Sequence, residues 1–141
     1  MLGTLLVTFI AVMLSVLVHY EAFLRLSALM KRMHIFPRFR IVFGAVGALA
    51  AHVIEVFIFS FAYFLLIRWD DHGALEGAFA GSWRDLNYYS FSTYTSLGFG
   101  DIVPVGALRF LTGMEALTGL VLIAWTASFM FVQMVKLWEE A

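Results

Sequence analysis

Thr95-Ser96-Leu97-Gly98-Phe99-Gly100-Asp101 decides how this chain is read. Gly98 and Gly100 alternate with bulkier residues, and glycine enters left-handed backbone conformations without steric cost. A strand built this way can turn successive carbonyls to one side. Long apolar stretches flank the segment. Backbone that is neither helix nor closed barrel is tolerated at membrane depth only where protein buries it or a water path meets it.

Just before the segment, residues 83–94 read as a short helix, too short and too polar to span a bilayer. Ser82 with Asp85 three residues on resembles a capping box, with Asp in place of Glu or Gln. This pattern predicts a re-entrant helix that delivers the chain into residues 95–101. Residues 70–81, polar and glycine-bearing, lead into it. After it, a span is expected over residues 105–135, with Arg109 and Glu115 early and Lys136 and Trp138 at its end.

Further out, residues 41–67 form a second apolar span ending at Arg68 and Trp69, and Pro37 breaks the helix before it. Residues 2–18 are apolar and uncharged, and their helical pattern continues towards Met30. No basic leader or small-residue cleavage site accompanies them, so they read as a retained membrane helix. A spanning helix needs roughly 20 apolar residues, and three stretches meet that need. The bulk composition agrees: the 141 residues are 62% hydrophobic and 13% charged, with net charge −1 and no cysteine. A soluble domain is closer to half apolar and a quarter charged. No basic tract suggests nucleic acid, and the missing cysteines exclude disulfides, thiolate metal sites and cysteine nucleophiles.

Five of the nine Lys and Arg residues fall between Arg25 and Arg40. Basic short loops stay cytoplasmic, so the N-terminus is expected outside and the C-terminus inside, in the cell membrane. The outer surface would then carry Asp70, Asp71, Glu76, Asp85 and Asp101 against Arg68 and Arg84. Such an acidic mouth concentrates cations.

These features together resemble potassium channels with two membrane helices around a pore loop, over about two thirds of the chain. The family filter reads T-V-G-Y-G-D; here it is Ser96-Leu97-Gly98-Phe99-Gly100-Asp101, preceded by Thr95. Tyr88 and Tyr89 stand where the family often has paired aromatics that brace the filter. Pro104 closes the G-D-x-x-P run, and Gly119 lies near the glycine where inner helices of these channels bend. Ser96 replaces threonine and keeps the hydroxyl. Leu97 replaces valine, Phe99 lacks the tyrosine hydroxyl, and Ser92 stands where some members carry a glutamate that pairs with the filter aspartate.

The resemblance implies an all-α membrane protein, with an extra N-terminal helix (residues 1–30) and a pore domain (residues 41–138). It implies dehydrated K+ held by backbone carbonyls of residues 96–100, at Ser96, Leu97, Gly98 and Phe99, with no other cofactor. One loop supplies one wall of such a filter, so a homotetramer among membrane lipids is expected. A weakly selective cation channel is the second reading. A non-conducting membrane subunit with a degenerate pore loop is the third. No enzyme is expected, because neither Ser90 nor any other serine has the base and orienting group of a nucleophile. Ser90 and Thr93 are expected to bond within the pore helix.

Ionisable residues inside spans are functional candidates by default. His52 and Glu55 share a helical face and are gating candidates with Gly119; their structural reading is a bridge between helices. Glu115 is expected to reach the back of the pore helix near Ser92 and to replace the missing brace. Arg109 is expected to anchor the outer end or to pair with Asp101. A metal set of Glu21, His52, Glu55 and Glu115 is disfavoured, because Glu21 and Glu115 belong to opposite membrane faces. The sequence offers no Arg-rich helix for voltage sensing. Few residues follow the last span, so gating is expected from pH, lipid, filter ions, a separate regulatory subunit, or nothing. The first helix is expected to pack outside the pore domain.

Overall fold

The computed structural model describes residues 1–33, 36–69 and 72–139. Four helices dominate: α1 (Leu2–Arg32), α2 (Pro37–Ile67), the short α3 (Trp83–Tyr94) and α4 (Leu108–Glu139). Leu2–Arg32, Arg38–Ile67 and Leu108–Lys136 are each long and apolar enough to cross a membrane. At 1.5 Å per residue, such helices of about 30 residues reach roughly 45 Å, and so project beyond a hydrocarbon core of about 30 Å.

α1 buries one face only: Thr4, Thr8, Ala11, Ser15, His19, Phe23, Leu26 and Met30. These recur every three or four residues, the period of one helical stripe. The stripe packs along α2 in the antiparallel sense. Met30 and Leu26 of α1 lie over Gly44 and Gly47 of α2, where a Cβ would strike them. Further along, His19 meets Glu55. Small residues thus let the two backbones approach, as they do in other membrane helix pairs. α1 also touches α4, through Phe23 stacked on Phe129 at 4.4 Å. It therefore sits across both α2 and α4.

Pro37 opens α2 instead of merely ending the preceding helix. Proline suits the first helical position because its missing N–H has no partner there. Arg38 and Arg40 therefore lie inside α2, which starts four residues before the expected 41. His34, Ile35, Asp70 and Asp71 lie outside the described residues, and with the last two goes part of the expected acidic mouth.

Two four-residue strands, β1 (Ala74–Gly77) and β2 (Ile102–Val105), were not expected from the sequence. They pair antiparallel, with Leu75 opposite Pro104 and Gly77 opposite Ile102. The Ala78 amide donates to the Asp101 carbonyl at 2.8 Å and extends the hold to the end of the 95–101 segment. Consequently α4 begins at Leu108 rather than 105, after a turn at Gly106 with φ 66°. Leu75 and Ile102 join the main core with Phe59, Tyr63, Leu86, Tyr94, Leu108 and Leu111. That core wraps the inward side of α3, the element that aims residues 95–101.

Candidate functional site

α3 starts with the expected capping box. The Ser82 hydroxyl accepts from the Asp85 amide at 3.2 Å, while Asp85 Oδ2 accepts from the Ser82 amide at 3.2 Å and the Ala80 amide at 2.9 Å. The backbone amides, that of Ser82 foremost, hold the Asp85 carboxyl below the usual carboxylate range.

At its other end α3 stops at Tyr94, and the segment that follows alternates in handedness. Ser96, Gly98 and Gly100 have φ of 58°, 54° and 80°, and no other non-glycine described residue has positive φ. Leu97 and Phe99 between them do not share the positive φ. In such alternation, successive N–H groups converge on one acceptor, the geometry of a backbone nest. Here the acceptor is Ser92. Its carbonyl takes the amides of Leu97 at 2.9 Å and Gly98 at 3.1 Å, and its hydroxyl takes that of Phe99 at 3.3 Å. The amides are therefore satisfied from behind, and the opposite side of the strand is free to present oxygens. A Cβ on Gly98 or Gly100 would meet nothing within 4 Å, so these glycines answer to φ and not to crowding within the chain. Thr95, before the first turn, donates its hydroxyl to the Phe91 carbonyl at 2.7 Å.

Tyr88 braces the outer part of the segment. Its ring stacks on Phe99, with centroids 6.1 Å apart and planes within 5°. Its hydroxyl donates to Asp101 at 2.8 Å. Asp101, without an acidic partner, thus has a tyrosine instead. Tyr89 points the other way, its hydroxyl 2.9 Å from Thr112 of α4 and its ring edge-on to Tyr63 of α2. The paired tyrosines divide the work: one faces the strand, the other anchors α3. Arg109 donates to the Pro104 carbonyl at 3.3 Å, an anchor at the hairpin rather than a partner of Asp101.

Glu115 does reach the back of α3, at a different residue from the one expected. Its carboxyl bonds the hydroxyl of Ser90, not Ser92, and accepts from the Tyr63 hydroxyl at 2.6 Å. Ser90 also lies 3.0 Å from the Val56 carbonyl of α2, so it bonds outward to two helices and not within its own. Glu115 is fully buried.

The second buried carboxylate, Glu55, has richer company. Its Oε1 lies 2.9 Å from His19 Nδ1 of α1, and its Oε2 lies 2.9 Å from His52 Nδ1 and also accepts from the Tyr94 hydroxyl. His52 Nδ1 is also 2.9 Å from that hydroxyl, and its Nε2 is 2.8 Å from Thr126 Oγ1 of α4. All four helices meet here. His19 of α1 joins Glu55 here from outside the candidates chosen on the sequence. The disfavoured metal set is not assembled: Glu21 pairs with Arg25 on an exposed face, and Glu115 is engaged with Ser90. His19, His52 and Glu55 do place three ligand-type atoms within 4.8 Å of one another. However, the two imidazoles address different oxygens of Glu55, which is bridging geometry and not convergence on one point.

Gly119 lies inside the unbroken helix α4. A Cβ there would fall on the Tyr94 carbonyl, so the missing side chain lets the end of α3 rest directly on α4.

A family model described as an ion channel matches residues 51–136, more than half of the chain. The chain belongs to that ion-channel family. No match was found among curated proteins or among solved structures. The matched span runs from the middle of α2 through α3, the 95–101 segment and nearly all of α4, and leaves α1 outside.

Proposed function

We propose that four copies of this chain form a passive, potassium-selective channel in which carbonyls of residues 96–100 coordinate dehydrated K+. The observation that carries this reading is the alternation of φ sign over residues 96–100, with three consecutive amides tied back to Ser92. Oxygen rings are the means by which such filters replace an ion's hydration shell. One strand supplies one oxygen per level, so the site needs further copies around an axis. Leu97 and Phe99, 61% and 63% exposed, are the kind of apolar surface that neighbouring copies would cover. The negative end of the α3 dipole, at Tyr94, adds a field that favours a cation below the filter. The N-terminus is outside and the C-terminus cytoplasmic in this reading.

Purified protein in liposomes tests it. Potassium flux with a reversal potential near the potassium equilibrium value is expected. Equal sodium permeability favours the weakly selective reading, which has its own observation: the amides of residues 97–99 are bonded by Ser92, with no carboxylate partner among the described residues. No flux of either ion supports the non-conducting subunit. Gating belongs in this reading to the His52–Glu55 pair at the foot of the filter, since histidine is the side chain that titrates near physiological pH. His52→Ala is expected to flatten activity against pH; an unchanged curve removes that assignment.

A further inference from the structure

His19 belongs to α1, the helix outside the matched family span, yet it contacts the group that holds the end of α3. We propose that His19 is a positioning residue for the filter, acting through Glu55 and Tyr94, so that α1 is a working part of the ion pathway. The proposal rests on the channel reading for its consequence, though not for its geometry.

The hydrogen-bond count carries it. Glu55 is wholly buried, and a buried carboxylate oxygen left without a donor is costly. Oε2 takes the Tyr94 hydroxyl and faces His52, whose other nitrogen faces Thr126. Oε1 has one partner, His19 Nδ1. His19 is itself fully buried, held between Phe23 at 4.2 Å and Trp125 at 5.1 Å between ring centroids, and its Nε2 has no hydrogen-bond partner. All its polar contact is therefore spent on Glu55. Remove that donor, and Glu55 must turn towards the remaining ones, the His52 nitrogen and the Tyr94 hydroxyl. Tyr94 is the last residue of α3, its carbonyl rests on Gly119, and the next residues are Thr95 and Ser96. Little slack separates the Glu55 contact from the first left-handed residue of the strand. The rest of the buried stripe of α1 is small or apolar apart from Thr4, Thr8 and Ser15, and Thr8 bonds its own helix at the Thr4 carbonyl. His19 is thus the polar coupling between α1 and the middle of the bundle.

Two variants separate positioning from packing. His19→Phe keeps a ring between Phe23 and Trp125 but has no donor. His19→Asn places an amide N–H where Nδ1–H stood. Each is purified, melted in detergent, reconstituted, and assayed for potassium and sodium flux. Amide exchange is followed at Leu97, Gly98 and Phe99. Expected for His19→Phe is exchange faster by about tenfold at those amides and a loss of flux or selectivity of similar size, the scale of one unpaired buried acceptor. His19→Asn is expected to restore both to within about twofold of the original protein. In a double variant with Tyr94→Phe, the His19→Phe effect should largely vanish, because both changes cut one line.

Filter exchange unchanged in a folded His19→Phe protein overturns the proposal, whatever the flux. So does equal impairment of Asn and Phe variants, which would make His19 a packing residue only. Bound zinc in stoichiometric amount, lost in both variants, also overturns it in favour of a metal site. If the unaltered protein carries no current, the channel reading fails, while the exchange data still decide the coupling.

Discussion

Two buried carboxylates hold one short helix, and they hold it differently. Glu115 of α4 meets two hydroxyls, Ser90 from the middle of α3 and Tyr63 from α2. Glu55 of α2 meets two imidazoles and the Tyr94 hydroxyl at the helix end. The first carboxylate has one hydroxyl from each of two helices, whereas the second reaches α1 through His19, α3 through Tyr94 and, by way of His52, Thr126 of α4. The first contact is a fixed clamp. The second is a junction, joining α1, α2, α3 and α4 at the point where α3 gives way to residues 95–101.

The comparison is broken most forcefully at the clamp. Glu115→Ala leaves two buried hydroxyls without their acceptor and opens a cavity, and should cost about 3–5 kcal/mol of stability, read from thermal unfolding in detergent. Glu115→Gln keeps the volume and should cost less than half as much. Both should weaken the whole α3 seat. If Glu115→Gln leaves conductance, selectivity and unfolding all unchanged, the clamp is not what secures α3.

Next in size comes Gly119→Ala. The added methyl falls on the Tyr94 carbonyl and pushes α3 away from α4, an overpacking cost of about 1–3 kcal/mol. The strain lands on the junction side, so a selectivity change should accompany the stability loss. A variant as stable as the parent would mean that α3 and α4 do not meet at that spacing.

Much of this was legible in the sequence, and the boundary is instructive. The spans, the capping box and the left-handed glycines follow from local rules of hydropathy, capping and backbone sterics. The strands β1 and β2 do not, because four residues carry too little period and Pro104 argues against a ladder. Pro37 was readable in both senses, as a stop or as a first helical residue. Glu115 was legible as a brace for α3 by depth, yet depth cannot choose between Ser90 and Ser92, which face opposite sides of a helix when two residues apart. His19 had a usable signal. Two helices joined by a short basic link must run antiparallel, and counting equally outward from Pro37 brings residue 19 opposite residue 55. The same count sets Met30 against Gly44 and Leu26 within one residue of Gly47, where the glycines accept larger neighbours.

The smallest predicted effect tests whether the buried pair governs the set of residues 95–101. At the far end of α3 stands a third carboxyl, Asp85, bonded to the amides of Ser82 and Ala80. Ser82→Ala removes half of the capping box and should cost about 1 kcal/mol. Because the folded-state value of Asp85 is depressed, its contribution is complete above the unfolded carboxylate value near pH 4 and fades as pH falls through the lower folded one. Asp85→Asn should therefore narrow the stability gap between neutral and strongly acidic solution. Neither change touches Ser90, Tyr94 or Ser92, so selectivity in liposomes should stay as it was. Should Ser82→Ala alter selectivity while Glu115→Gln does not, the strand is set by how α3 begins, and the two buried carboxylates only hold the helix in place.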